Sequence, residues 1–507
     1  MLDNLPTRMF VTGMLTAALG VAASAQQAMA PAPAMRDAVV TVDFGQARGP
    51  FLHPERYNNL SRATRWVEQR DADVQFFNEN GLHGNTYKVW IDAHLVYNPK
   101  TGVYDYGTIP DYLADVGRLS DNLLLVMDTR ALIRDDKWTP AQIRPVIKKI
   151  MRDMKERFPQ IKYIEAFNEP DHNLAKVLTP SSLYDYYIQY YEAVNEINRE
   201  LKPRVPLQVG GQGYMQYNEE WLRAFLDRYK ADPSSEKRLD FISWHGYGRF
   251  PAGTGDTGGP RAYHFYKFDP SEVAKERAQL DAELRSRGLD TRIPAFITET
   301  GIYPGPSFDH KDDPRPDYLI GAAGVPSLHY WYMESPGVVP FNWVLRHSTE
   351  ERKDQLVTRA GQDGKAPLTR AFTPYGNAMA MMAKLKDERV TARSNALTDG
   401  TGVYAIATKD RSGAAVMVWN YQHVGTQSYR VEIDMGQLPA NLRGKTLRQR
   451  MYRIDDKVSN YWGNPGTANL QQVSDSVVQP GDRHSLAVDL TANALQLIVL
   501  EPAGTVR

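Results

Sequence analysis

Hydrophobic and polar positions alternate on two length scales between about Asp37 and about Leu385. Short apolar runs have the length of buried strands, and longer amphipathic stretches separate several of them. One helix is predicted from Pro140 to Phe158, because Thr139 supplies an N-cap and proline takes the first helical position. A second helix is predicted from Ser181 to Leu201. The predicted strands are Asn85–Ile91, Leu123–Asp128, Tyr163–Phe167, Leu207–Gly211, Phe241–His245 and Ala295–Glu299.

Strands that alternate with helices over this length predict an α/β fold with a parallel sheet. No Gly-x-Gly-x-x-Gly motif and no phosphate-binding P-loop follows the first strand, which disfavours an open nucleotide-binding sheet. We therefore predict a (β/α)8 TIM barrel over residues 37–385.

The pattern changes after about Arg389, where the apolar runs take a period of two and no helical pattern separates them. Turn-forming residues lie between the runs, which predicts an antiparallel β-sandwich over residues 386–507. The earlier segment Ala38–Phe44 is also strand-like, and it can pair with this sandwich rather than with the barrel. The predicted sandwich strands are Gly402–Lys409, Ala414–Tyr421, Tyr429–Met435, Leu447–Ile454, Leu486–Leu490 and Ala494–Leu500.

The N-terminus has the pattern of a signal peptide. Arg8 precedes the apolar stretch Met9–Ala23, and small residues then offer cleavage after residue 25, or as late as residue 30. A membrane anchor is the alternative, but the run is short and rich in glycine, alanine and threonine. We expect an exported protein of the bacterial periplasm or exterior, with no membrane association after cleavage.

Charge and composition exclude several classes of function. Among 507 residues, Lys+Arg and Asp+Glu are both 60, so no net field attracts nucleic acid or an anionic membrane. The chain has no cysteine, which excludes disulfides, thiolate metal sites and a cysteine nucleophile. No metal-ligand spacing is evident, and we expect no metal and no cofactor. The oligomeric state is open, with a homo-oligomer among the alternatives.

Two glutamates end apolar runs that the pattern assigns to the barrel. Glu169 follows the run in YIEAFNEPDH, and Glu299 ends the run in FITETG, 299 − 169 = 130 residues later. A barrel uses roughly 30 residues for each strand and helix, so this spacing places them at the fourth and seventh strands. Their side chains would then face the same open mouth.

Paired carboxylates across a barrel mouth are the apparatus of glycoside hydrolysis. One group must be protonated to donate to the leaving oxygen, and the other must be ionised. Either glutamate alone is better explained as a strand-end ion pair. The two together, with Asn168 and Pro170 beside Glu169, favour catalysis and a carbohydrate substrate.

The triplet Asn168-Glu169-Pro170 resembles the acid/base motif of the clan of retaining glycosidases built on this barrel. The resemblance implies that Asn168 contacts the sugar 2-hydroxyl, that Glu169 protonates the glycosidic oxygen, and that Glu299 is the nucleophile. Within the clan the chain is most similar to glycoside hydrolase family 39, which contains β-xylosidases, α-L-iduronidases and exopolysaccharide endoglycosidases. The stretches that carry this likeness are VGG (Val209–Gly211), DFISWHGYG (Asp240–Gly248) and YRIDDKVSNYW (Tyr452–Trp462).

The resemblance also assigns substrate-binding and supporting residues. It implies that His245 and Tyr247 hold the nucleophile carboxylate, although a buried core histidine and a rim tyrosine are the alternative. Lys88 lies where the family usually has an arginine on the second strand. Trp343, in VPFNWVLRH, is the candidate for the floor of the −1 subsite after the eighth strand.

Three neighbouring polar residues have less specific roles. Glu165 lies four residues before Glu169, on the same strand face, so it needs a buried cation, and Lys88 is the candidate. Asp171 and His172 either touch substrate or cap the following helix. The glycine-rich loop Pro251–Pro260 is expected to line the site, because insertions after barrel strands do so.

The sequence therefore predicts an exported retaining glycoside hydrolase. Its substrate is a β-type bond in a plant or bacterial polysaccharide or oligosaccharide, and double displacement requires no cofactor. The alternatives are an endo-acting hydrolase of another family in the same clan, of agarase or mannanase type, and a non-catalytic glycan-binding protein.

Overall fold

The computed structural model describes residues 34–60, 70–247, 269–302, 315–345, 356–359, 368–422, 426–461 and 463–504. The predicted signal peptide and the glycine-rich loop Pro251–Pro260 lie outside the described residues. Within the described part of the chain, no helix is both long enough and apolar enough to cross a membrane.

The strands in chain order are β1 (Arg36–Pro50), β2 (Tyr57–Asn59), β3 (Gly84–Asp92), β4 (Tyr97–Asn98), β5 (Val103–Tyr104), β6 (Ser120–Asp128), β7 (Ile161–Glu165), β8 (Gln208–Gly210), β9 (Ile242–Gly246), β10 (Ala295–Thr300), β11 (Val338–Asn342), β12 (Val357–Arg359), β13 (Leu368–Phe372), β14 (Glu388–Ser394), β15 (Leu397–Thr398), β16 (Thr401–Lys409), β17 (Ala414–Tyr421), β18 (Tyr429–Gly436), β19 (Leu447–Ile454), β20 (Gln471–Val478), β21 (His484–Leu490) and β22 (Leu495–Pro502).

The helices are α1 (Arg70–Glu79), α2 (Ala93–Val96), α3 (Ile109–Val116), α4 (Arg130–Arg134), α5 (Pro140–Arg157), α6 (Pro170–Asn173), α7 (Leu183–Leu201), α8 (Glu219–Ala231), α9 (Val273–Ser286), α10 (Arg315–Tyr332) and α11 (Pro374–Met382). Both helices predicted from the sequence are present, as α5 and α7. Thr139 and Gln142 form a capping box at the start of α5, which satisfies backbone donors that the first turn leaves free.

Eight parallel strands form the barrel, in the order β8-β7-β6-β3-β2-β11-β10-β9. The ring closes between β8 and β9, where Tyr214 bridges to Trp244 and the Gly211 amide donates to the Phe241 carbonyl at 3.0 Å. The predicted TIM barrel is confirmed. In ring order along the chain, β7 is the fourth strand, β10 the seventh and β11 the eighth.

Side-chain alternation divides each barrel strand between two environments. On β3, Tyr87, Val89 and Ile91 pack outward into the large apolar cluster shared with the helices. Trp90 points inward and packs with the apolar side chains that fill the ring. Lys88 lies on the same inward face as Trp90, so a lysine is enclosed inside the barrel. The inward apolar side chains are Trp90, Leu124, Val126, Phe241, Phe296 and Phe341.

The C-terminal strands form a ten-stranded sheet in the order β20-β19-β22-β17-β16-β14-β1-β18-β21, with β15 attached to β16. The sheet encloses an apolar core to which strands from both of its halves contribute. β1, which contains Ala38–Phe44, lies between β14 and β18. The predicted antiparallel pairing is confirmed for the other strand pairs of this sheet, whereas β1 and β18 pair in parallel, with Val40 opposite Ile433. The difference arises because β1 comes from ahead of the barrel rather than from a hairpin.

Aromatic residues join the barrel to the C-terminal sheet. The Tyr404 and Trp419 rings stack with centroids 5.1 Å apart. Trp419 Nε1 donates to Ser327 Oγ at 2.9 Å, and Trp331 Nε1 donates to Tyr404 Oη at 3.0 Å. Because Ser327 and Trp331 lie on α10, the sheet is fixed against a barrel helix.

Candidate active site

The backbone turns sharply between β7 and Glu169. Glu169 adopts a left-handed conformation, with φ 48° and ψ 51°, which is uncommon for a residue other than glycine. Its amide donates to the Gly213 carbonyl at 2.6 Å, and its own carbonyl accepts the Asn173 amide at 2.7 Å. Pro170 then begins α6, where the absence of an amide proton has no cost. These hydrogen bonds hold the Glu169 backbone in an unfavourable conformation and thereby fix the direction of its side chain, as is common at functional sites.

Glu299 lies near the end of β10, inside the mouth of the barrel. Its side chain is 7% exposed. Tyr247 Oη donates to Glu299 Oε2 at 2.7 Å, and Lys88 Nζ donates to Oε1 at 3.2 Å. These two contacts orient the Glu299 carboxyl group, with Oε2 toward the tyrosine and Oε1 toward the lysine.

His245 lies between the two glutamates. Its Nδ1 is 3.1 Å from Glu169 Oε1, and its Nε2 is 3.5 Å from Glu299 Oε1. The resemblance implied that this histidine holds the nucleophile carboxylate; the structure places it near both glutamates, with the shorter contact to Glu169. One oxygen of Glu169 and one of Glu299 lie within 4.8 Å of each other, with His245 inside the same limit.

The environment of Glu169 favours its ionised form. Burial alone would raise the pKa of Glu169. The hydrogen bond from His245, together with the positive charges of His245, Arg130 and His172, outweighs burial and lowers the pKa to about 2. A proton needed for acid catalysis must therefore come from a neighbour or from a change in these charges.

A second buried carboxylate lies on the other side of Lys88. Lys88 Nζ is 3.0 Å from Glu165 Oε2, and both side chains are fully buried. Ser243 Oγ donates to Glu165 Oε1 at 2.6 Å. The structure thus brings together the lysine and the glutamate that the sequence suggested as partners, and it also connects Lys88 to Glu299.

The remaining predicted residues surround the same mouth. Asn168 is buried, and the described residues offer its Oδ1 no hydrogen-bond donor. Trp343 directly follows β11, is partly buried, and donates its amide to the Thr300 carbonyl at 2.8 Å. Asp171 accepts the Met215 amide at 2.9 Å and Asn218 Nδ2 at 3.0 Å, so it anchors the segment after β8.

An arginine near Glu169 escaped the sequence prediction. Arg130 follows β6, and it holds Asp128 through Nε at 2.9 Å and Nη2 at 2.6 Å. Its charge also lowers the pKa of Glu169. The available signal was Asp128-Thr129-Arg130 at the end of a predicted strand, a position that faces the mouth.

Metal binding is a second chemical capability of the same three side chains. Glu169, His245 and Glu299 each offer one ligand atom, and these atoms lie within 4.8 Å of one another. Each atom is also positioned for proton transfer or nucleophilic attack without an ion. The hydrogen bonds described above account for the arrangement on their own.

Part of the barrel is similar to a known family. Residues 138–256 match the family model described as the glycosyl hydrolase catalytic core. The matched stretch includes Asn168, Glu169 and His245. No curated protein matches the chain.

Solved structures then show which enzymes share the whole fold. The bacterial orthologue of human α-L-iduronidase is similar over 93% of this chain and 85% of its own, with 15% identity and a TM-score of 0.69. A monomeric β-xylosidase from Caulobacter crescentus CB15 is similar over 92% and 100%, with 13% identity and a TM-score of 0.67. The GH39 enzyme from Xanthomonas axonopodis pv. citri is similar over 92% and 97%, with 14% identity and a TM-score of 0.65. The predicted resemblance to this clan is confirmed, and at these identities the likeness concerns the fold.

Proposed function

We propose that this protein is a retaining glycoside hydrolase, with Glu299 as the nucleophile and Glu169 as the acid/base. The observation that carries the proposal is the distance between the two carboxyl groups, whose nearest oxygens lie within 4.8 Å. Retaining enzymes place these groups about 5–5.5 Å apart, whereas inverting enzymes need about 6.5–9.5 Å to admit a water molecule. The short distance favours direct attack by a carboxylate.

In the first step, a Glu299 oxygen forms a bond to the anomeric carbon while the glycosidic C–O bond breaks. The leaving oxygen takes a proton from Glu169. Lys88 and Tyr247 hold and orient the Glu299 carboxylate before attack. The products of this step are a glycosyl ester on Glu299 and the released alcohol.

His245 provides the proton that the low pKa of Glu169 requires. The hydrogen bond between His245 Nδ1 and Glu169 Oε1 lets one proton move between the two groups as the leaving oxygen develops charge. In the second step, ionised Glu169 removes a proton from water, and the resulting hydroxide attacks the anomeric carbon. The ester bond to Glu299 breaks, and the sugar leaves with its original anomeric configuration.

The substrate side of the proposal rests on Asn168 and Trp343, which follow two of the barrel strands. The buried Oδ1 of Asn168 has no donor among the described residues, so a sugar hydroxyl would satisfy it. Trp343 offers an aromatic surface after β11 for the ring in the −1 subsite. We extend the proposal to a β-type bond in a plant or bacterial polysaccharide or oligosaccharide, and to export into the bacterial periplasm or exterior.

The test compares wild type with Glu299→Gln on aryl β-xyloside, β-glucoside and β-galactoside, plant xylans and bacterial exopolysaccharides. We expect wild type to release product from at least one member of this panel and Glu299→Gln to release none. Proton NMR of the first product anomer should show retention. Glu276→Gln is the matched control. Glu276 is a buried glutamate like Glu299, but its carboxylate accepts a hydrogen bond from Trp244 Nε1 at 2.8 Å and is not one of the two proposed catalytic groups.

The non-catalytic alternative gives a different result with the same proteins. A glycan-binding protein would bind one of the polysaccharides in calorimetry, and neither wild type nor Glu299→Gln would release product. Inversion at the anomeric carbon would contradict the nucleophile role of Glu299 while leaving a hydrolase.

A further inference from the structure

We propose that Glu165 is a positioning residue for the nucleophile, acting through Lys88 as the permanent counterion of that lysine. The inference rests on the proposed function and concerns the glycosyl-ester stage of the same reaction. It assigns a role to a buried carboxylate that neither transfers a proton nor attacks the sugar.

Three charged side chains are in contact inside the barrel and form a chain of charges: Glu165, Lys88 and Glu299. Lys88 Nζ lies 3.0 Å from Glu165 Oε2 and 3.2 Å from Glu299 Oε1. Lys88 and Glu165 are inaccessible to solvent, and Glu299 is nearly so. The lysine is thus shared between a carboxylate that reacts and one that does not.

The charge of this chain changes during catalysis. When Glu299 attacks the anomeric carbon, its carboxylate becomes an ester and loses its negative charge. Lys88 then faces a neutral group on one side, and a buried ammonium without a counterion is strongly destabilised. Within the described part of the chain, Glu165 is the other ion-pair partner of Lys88, so it alone keeps the lysine paired at this stage.

The surroundings fix Glu165 in this position. Ser243 Oγ donates to Glu165 Oε1 at 2.6 Å, which leaves Oε2 toward the lysine. At Gly211, whose φ is +84°, a Cβ atom would lie 2.8 Å from Glu165 Cγ and 3.0 Å from Ser243 Oγ. Any side chain at Gly211 would therefore displace the glutamate, and the VGG stretch provides the space for it.

The charge of Glu165 also governs the resting state. Because Lys88 contacts two carboxylates, its positive charge is shared between Glu165 and Glu299. The lysine therefore stabilises the Glu299 carboxylate less strongly, which leaves that carboxylate more nucleophilic. In Glu165→Gln, Lys88 would pair with Glu299 alone, so the nucleophile would be weaker before attack and the lysine unpaired after it. Both effects slow formation of the glycosyl enzyme.

A double-mutant cycle on kcat/KM for an aryl glycoside tests the inference with four proteins: wild type, Glu165→Gln, Lys88→Met and the double variant. We expect Glu165→Gln to lower kcat/KM by at least about tenfold and the double variant to be no slower than Lys88→Met. Losses that multiply in the double variant would overturn the inference, as would an unchanged kcat/KM in Glu165→Gln. Glu276→Gln, another buried carboxylate change, should leave kcat/KM within about twofold of wild type.

A milder variant covers the case in which Glu165→Gln fails to fold. Ser243→Ala removes the hydrogen bond to Glu165, and also the acceptor of the Gly213 amide, without changing any charge. We expect a loss of about threefold in kcat/KM with unchanged KM. An unchanged kcat/KM in folded Ser243→Ala would count against positioning of Glu165.

Failure of the proposed function gives a separate result. If wild type hydrolyses nothing in the panel, the hydrolase proposal fails, and the charge chain is then judged from thermal unfolding of the same four proteins. If the double variant is at least as stable as Lys88→Met, the result would support the coupling of Glu165 to Lys88. Additive losses of stability would overturn it.

Discussion

His245 Nδ1 lies 3.1 Å from Glu169 Oε1, and Nε2 of the same ring lies 3.5 Å from Glu299 Oε1. A single buried imidazole therefore contacts both carboxyl groups of the site. Because a charge on this ring acts on both glutamates, changing it alters Glu169 and Glu299 together. The contact to Glu169 is the shorter, so we expect Glu169 to respond more strongly.

His245→Asn removes the hydrogen bond and the electrostatic interaction that contribute most to lowering the pKa of Glu169. Burial then dominates, and we expect the pKa of Glu169 to rise from about 2. The second step of the proposed mechanism needs ionised Glu169, so we expect the base to be available above about pH 2 in wild type and only above a higher pH in the variant. With a 2,4-dinitrophenyl glycoside, for which hydrolysis of the glycosyl enzyme limits turnover, the acid limb of kcat should move to higher pH. Identical acid limbs would refute the role of this hydrogen bond, and Tyr247→Phe is the control because its phenol contacts Glu299.

Glu169→Ala tests whether this carboxyl group protonates the leaving oxygen. A dinitrophenolate leaves without a proton, so formation of the glycosyl enzyme from that substrate should proceed at close to the wild-type rate. An unactivated glycoside needs the proton, and we expect its kcat/KM to fall by about 10²- to 10⁴-fold. Stopped-flow bursts and steady-state rates measure the two cases. Equal losses on both substrates would assign Glu169 a binding role instead.

Tyr247→Phe isolates the hydrogen bond to the nucleophile. Tyr247 Oη donates to Glu299 Oε2 at 2.7 Å, and hydrogen bonds to charged groups contribute about 1.5–3 kcal/mol. That contribution corresponds to a loss of about 10- to 100-fold in kcat/KM. The change is nearly isosteric, so the melting temperature should stay close to that of wild type. A loss of stability with unchanged kcat/KM would indicate a packing role.

The sequence predicted the barrel well because each long barrel strand has a clear apolar run. β3, β6, β9 and β10 all overlap the predicted strands. The first strand, β2, was not predicted. It has three residues, Tyr57–Asn59, two of them asparagines, and it holds its place through parallel pairing with β3 and β11 rather than through its own composition.

The contacts between side chains at the barrel mouth were harder to predict than the identity of the site residues. The sequence indicated Glu169, Glu299, His245 and Tyr247 because each follows or ends a strand. It did not show that His245 turns its Nδ1 toward Glu169, because this depends on the ring orientation between two strands that are separated by β8. Arg130 was missed because its effect on Glu169 is electrostatic and acts from the end of the neighbouring strand, β6, without a direct hydrogen bond in the described contacts.

The fold contains an acid-sensitive group away from the site, the imidazole of His329 on α10. His329 is fully buried beside Asn342, and burial lowers its pKa to about 3 from an ordinary value of 6.5. Between pH 6.5 and 3 the unfolded chain binds a proton there and the folded chain does not, so folding stability falls as the pH falls.

We expect the His329 contribution to reduce the free energy of unfolding by about 1.4 kcal/mol for each pH unit below 6.5, until folded His329 is protonated near pH 3. His329→Phe is the matched variant, because it keeps an aromatic ring and cannot titrate. Urea unfolding at pH 7, 5.5 and 4.5 gives the free energy of unfolding of both proteins. Subtracting one value from the other removes the contribution of the carboxyl groups, which the two proteins share. Wild type should lose stability relative to His329→Phe as the pH falls, since only wild type must exclude a proton from its core. Parallel curves would mean that folded His329 accepts a proton at its ordinary pKa.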